Sequence, residues 1–126
     1  MSDSILFAKS KQFASLVVKG VRWLHENKKE FVLSKQFLRS GTSIGANLAE
    51  AQYAASDGDF VSKLRISLKE CAETLYWIDL LAENDYFLSS DAEALRAPCD
   101  ELRRMLVSSI CTVEQRRQAE DASKPQ

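Results

Sequence analysis

Three glutamates and a short run of small polar residues have most claim to chemistry in this chain. Ser43, Asn47 and Glu50 fall at i, i+4 and i+7, so a helix carries them on one outer face. Glu70 and Glu73 share a face further along with Ile66, Trp77 and Leu80. Where the two faces meet, in one chain or between copies, they form a polar cluster with two or three carboxylates. Paired carboxylates can act as general acid and general base, but they need a cleft and a positioned partner. The sequence marks neither, and a solvated face or a hydrogen-bonded interface accounts for the same residues. His25 is the single histidine. It cannot supply the two Glu-x-x-His pairs of a di-iron bundle, and its place at a helix end suits capping better than a catalytic triad. Cys71, Cys99 and Cys111 are odd in number and lack C-x-x-C spacing, which reads as reduced core thiols in the cytoplasm. No catalytic residue, metal ligand or cofactor is expected.

The elements that position these groups are all helical. The chain has 126 residues, 45% hydrophobic and 28% charged, with 4 Gly and 2 Pro to spend on turns. That is one domain with long helices. Helix one spans about 4–27, with an apolar arc over more than half its circumference. Helix two spans 34–55 with Ser34 as N-cap, and helix three spans 57–84 behind a Ser56/Asp59 capping pair. In helix three Val61, Leu64, Leu68, Cys71, Leu75, Ile78 and Ala82 alternate at spacings of three and four, the seam of a bundle. Ile66 and Trp77 lie on its opposite side, which points to a second copy covering that face. Helix four spans 90–117 from a Ser90/Glu93 capping box, with Pro98 expected to kink or break its start. Residues 1–118 form the domain, and 119–126 are expected to be a disordered tail. Short connections make consecutive helices antiparallel, giving an all-α, up-down-up-down four-helix bundle.

Gly41 and Gly45 sit inside helix two, where each costs roughly 0.5–1 kcal/mol relative to alanine. With Ala49 they form a row of small residues that lets a neighbouring helix approach closely. A phosphate-binding loop is excluded, because no Gly-Lys-Ser/Thr follows and no strand precedes.

Net charge is −1, unevenly spread. Residues 1–69 carry 11 Lys/Arg against 6 Asp/Glu, and residues 70–126 carry 6 against 12. Lys28, Lys29 and Lys35 cluster around the first turn between helices, with Arg39 one turn further on, and are the candidate nucleic-acid contacts. The start of the chain lacks a secretory leader pattern, and no apolar run approaches the roughly 20 residues of a membrane span, so no membrane partner is expected.

Two blocks carry a family resemblance. In RSGTSIGANLAEA, Arg39, Ser43, Ile44, Asn47, Leu48, Ala49 and Glu50 resemble the helix-two signature of the bacterial bundle proteins of the 23S ribosomal RNA intervening sequence type. In FVSKLRISLKECAETLYWIDLL, Phe60, Leu64, Ser67, Lys69, Glu70, Glu73, Thr74 and Trp77 are similar to its helix three. The resemblance covers about residues 5–115. It implies a left-handed antiparallel bundle assembled as a ring of five, with no enzymatic activity. Related bundles serve diversity-generating retroelements, where a basic pentamer engages nucleic acid and a reverse transcriptase; this chain departs from them in its near-neutral charge. The expected protein is therefore a non-enzymatic, cytoplasmic homo-oligomer, a ring of five by resemblance, associated with RNA or a ribonucleoprotein. The rivals are a protein-interaction adaptor that leaves RNA untouched and an enzyme built on Glu50, Glu70 and Glu73.

Overall fold

A computed structural model describes residues 2–125. Met1, at the start of the expected domain, and Gln126, at the end of the expected tail, lie outside the described residues. The helices are α1 (Ser2–Trp23), α2 (Leu33–Ala51), α3 (Asp57–Glu83) and α4 (Ser89–Ser123). A π-helical turn, Leu24–Lys28, widens the end of α1, and Lys29 ends it in the left-handed region at φ 52°. Consecutive helices pack on one another, and α4 closes back on α1.

Cross-helix contacts run in opposite senses along each neighbouring pair, as in antiparallel packing. Between α2 and α3, Arg39 meets Glu73 while Glu50 meets Lys63. Between α3 and α4, Asp57 meets Arg116 while Asp79 meets Arg96. The core is built from fully buried Phe13, Val17, Phe37, Ile44, Leu64, Ile78 and Leu106, with contributions from all four helices.

The small residues of α2 bring helices together on two sides. Gly41 lies against Val17 of α1, and Gly45 against Ser10. On the other side, the buried hydroxyl of Ser67 in α3 donates to the Ile44 carbonyl at 2.9 Å. Thr74 donates to the Glu70 carbonyl of its own helix at 2.7 Å, and its hydroxyl oxygen lies 3.0 Å from that of Ser40. Ala49 is different: it is half-buried and borders a shallow cleft with Phe7, Lys11 and Ala14.

This seam changes the inward face of α3. Ser67, Thr74 and Leu81 are buried there, whereas Leu68, Leu75 and Ala82 are half-buried at its flanks. Hydroxyl side chains satisfied by backbone carbonyls can be buried without a desolvation penalty, and their small size permits close approach.

Helix ends differ from expectation for local reasons. Ser34 does not cap α2; it is buried in the first turn, and the Glu30 carboxylate takes the capping role. That longer side chain accepts from the backbone N–H of Val32 (3.1 Å), Leu33 (3.0 Å) and Ser34 (2.7 Å). Helix α2 ends at Ala51, four residues before the expected position, because the chain turns towards the Ser56 cap. That cap forms as read: Asp59 N–H donates to Ser56 Oγ at 3.1 Å.

The Ser90/Glu93 box does not form. Helix α4 starts at Ser89 without a side-chain cap, and Glu93 instead accepts from Arg96 at 2.7 Å. Pro98 does not interrupt the helix. The carbonyl deprived of its N–H partner belongs to Ala94, an exposed residue whose carbonyl water can serve. The same helix runs on to Ser123, past Arg117, over residues rich in good helix formers and free of Gly and Pro.

Candidate functional site

Arg39 organises the polar cluster on the α2/α3 face. Its guanidinium reaches the Glu70 carboxylate at 3.5 Å and donates to Glu73 in a close contact. The indole N–H of Trp77 donates to the same Glu73 oxygen at 3.0 Å. The Trp77 N–H, together with Arg39, holds the Glu73 carboxyl below the usual carboxylate range, despite partial burial. The hydrogen bond to Glu73 raises the Arg39 guanidinium in turn. Ser43 and Asn47 turn inward to their own helix, donating to the Arg39 carbonyl at 2.6 Å and the Ser43 carbonyl at 2.8 Å.

Glu50 is not in this cluster. It lies 3.8 Å from Lys63 near the other end of α2. Within one chain the cluster therefore holds two carboxylates, Glu70 and Glu73, which share the Arg39 guanidinium. Through Arg39 the pair ties α2 to α3. Arg39, a candidate nucleic-acid contact by sequence, has its guanidinium turned to these two acids.

Trp77 is half-buried against the core of its own chain, and Tyr76 packs edge-on to it at 5.0 Å between ring centres. Tyr76 and Ile66 are exposed on α3. Cys71 and Cys99 are buried between α3 and α4, where Cys99 Sγ lies 3.7 Å from the Cys71 carbonyl. The contact with Cys99, and then burial, push the Cys71 thiol upward, so it stays protonated. Cys111 is exposed. Among the described residues no group of His, Cys, Asp and Glu is placed to hold a metal ion.

A cleft of about 610 Å³ opens where α1 begins and α2 turns into α3, walled by Leu6, Phe7, Leu48, Ala51, Phe60 and Leu64. The charged group on its wall is Asp57, which is engaged by Arg116 at 3.1 Å.

The cations sort by partner. Arg65, Arg96, Arg103, Arg104 and Arg116 on α3 and α4 all pair with carboxylates. Among the described residues, Lys28, Lys29 and Lys35 have no ion-pair partner, and neither do Lys11, Lys19 and Arg22 of α1. All six are exposed. By sequence the α1 members fall on the narrow polar strip of helix one, beside Ser15 and Glu26, and were not grouped with the nucleic-acid candidates at the turn. At the turn, the Lys28 ammonium stands 5.9 Å from the centre of the Trp23 ring, and Lys29 donates to the Glu26 carbonyl at 3.2 Å. The π-helical turn sets His25 3.2 Å from the Ser34 hydroxyl and leaves Phe31 leaning on the His25 ring at 4.9 Å.

These features define a helical bundle whose α2/α3 face holds two carboxylates on one arginine and whose α1 helix and following turn carry exposed cations without ion-pair partners among the described residues. Residues 2–108 match the 23S rRNA-intervening sequence protein family, and the chain belongs to that family. It is also similar to a crystal structure of a protein of unknown function from the S23 ribosomal protein family of Bacteroides thetaiotaomicron VPI-5482. The two chains are 44% identical, the match covers 87% of this chain and 98% of that one, and the TM-score is 0.86. No curated protein matches the chain. Among the described residues no helix is long and apolar enough to cross a membrane.

Proposed function

We propose that this chain is a non-enzymatic, homo-oligomeric bundle that acts as an accessory protein to RNA or a ribonucleoprotein. The observation that carries the RNA reading is where unpaired cations gather. Arg96, Arg103, Arg104 and Arg116 of the acidic half pair with carboxylates and Arg117 does not. Lys11, Lys19, Arg22, Lys28, Lys29 and Lys35, around α1 and the α1–α2 turn, have no ion-pair partner among the described residues and stay available for phosphates. Membership of a family described by a 23S rRNA intervening sequence supports the same direction.

Changing Lys28, Lys29 and Lys35 together to Glu lowers RNA affinity by at least about tenfold in a filter-binding assay, with the helical circular dichroism unchanged. Unaltered affinity in a folded triple variant rejects this contact surface. Absence of RNA binding by the native protein favours the adaptor reading.

Self-association, with a ring of five carried over from the family resemblance, rests on the α3 surface. Exposed Tyr76 packs beside half-buried Trp77, and exposed Ile66 lies about three turns earlier on α3, apolar groups of the kind that anchor interfaces. Trp77→Ala lowers the mass measured by light scattering; an unchanged mass in a folded variant removes this face from the assembly.

A further inference from the structure

The α1–α2 turn combines its unpaired lysines with exposed aromatic rings. Trp23 leans on Phe87 towards α4, with ring centres 6.1 Å apart. Phe31 leans on His25, which in turn contacts Ser34 at the start of α2. The turn thus carries one supported ring on its α4 side and another on its α2 side. Phe31 is 57% exposed and Trp23 36% exposed, so both keep surface available to a partner. Lys28 and Lys29 lie between them in the chain, and both are exposed.

Each ingredient acts on a different part of a polynucleotide. Ammonium groups attract phosphates whether or not the bases are paired. An aromatic face gains by stacking only on a base that is unpaired and able to swing out. A duplex keeps its base faces inside the helix, so the rings of this turn gain nothing from it.

We propose that the α1–α2 turn is a binding site for single-stranded RNA, in which Phe31 and Trp23 stack on unpaired bases while Lys28 and Lys29 hold the intervening phosphates. This rests on the RNA reading above and specifies the form of RNA that the turn selects. Tyr53 supplies an internal comparison. It is 88% exposed in the connection between α2 and α3, at the opposite end of the bundle from the lysine turn. It is a solvent-exposed ring outside the proposed site.

The test is fluorescence anisotropy with the full chain, using a labelled 12-nucleotide oligouridine and a 12-base-pair RNA duplex at the same salt concentration. The native protein binds the single strand at least about fivefold more tightly than the duplex. Phe31→Ala lowers single-strand affinity at least about fivefold and leaves duplex affinity within about twofold. Tyr53→Ala changes neither. Equal affinity for strand and duplex, or an undiminished Phe31→Ala variant that folds, overturns the stacking site while leaving RNA binding in place. No binding of the native protein to either RNA, together with tight binding to anionic phospholipid vesicles, overturns both readings.

Discussion

Replacing Gly41 with alanine lowers the stability of the bundle by about 2 kcal/mol, although alanine is the better helix former by roughly 1 kcal/mol. A Cβ at this position stands 2.7 and 2.9 Å from the two methyl carbons of Val17 and 3.2 Å from its Cβ. Val17 is fully buried. Its branched side chain cannot relieve the clash by rotating, because another methyl replaces the one displaced. The helices must therefore move apart, and that disturbs the packing of α2 against α1. Urea denaturation checks the size of the loss. Shortening the opposing residue in a Val17→Ala/Gly41→Ala double variant recovers part of it. Gly20→Ala behaves oppositely, gaining about 0.5–1 kcal/mol, because its nearest neighbours would be 3.6 Å away in ordinary contact. A Gly41→Ala protein as stable as the native one is inconsistent with the close helix approach.

Glu30→Ala costs about 2 kcal/mol, since it removes the acceptor for three backbone N–H groups at the start of α2. Burial pushes the Glu30 carboxyl up, but bonds from Ser34, Leu33 and Val32 outweigh it and hold the group below the usual carboxylate range. The unfolded chain, with glutamate near pKa ~4.3, binds the proton more tightly. The stabilisation is therefore fully present above that pH and is lost as pH falls through the depressed folded value. Glu30→Gln retains a carbonyl acceptor but not the charge, so it flattens this part of the acid limb in a stability–pH curve. Glu73 is also held low and keeps some slope in the variant. An acid limb unchanged by Glu30→Gln contradicts the capping role.

The two variants also mark what could be read in advance. Number, order and approximate span of the helices follow from the Ser56/Asp59 cap, the three–four spacing of α3 and the scarcity of turn residues. Gly41 and Gly45 announced a close approach, and Val17 and Ser10 provide its other side. Glu30 was hidden because its capping depends on the chain turning at Lys29, which brings a side chain from outside the helix onto its first N–H groups. Ser67 and Thr74 were hidden because hydroxyl residues look outward until their partners on α2, the Ile44 carbonyl and the Ser40 hydroxyl, are located. The candidate site was legible only in part. Lys28, Lys29 and Lys35 could be grouped by proximity in sequence, but the commitment of Arg39 to Glu70 and Glu73 is a product of packing. So is the separation of Glu50 from those two acids.

The central claim is that the unpaired cations of α1 and its following turn meet RNA phosphates. Its most direct test is the affinity of the native protein for single-stranded RNA measured across a salt series. Engagement of Lys19, Arg22, Lys28, Lys29 and Lys35 gives a straight fall of log affinity against log salt with a slope of roughly −3 to −4. A slope near zero, or no detectable binding at low salt, contradicts the account.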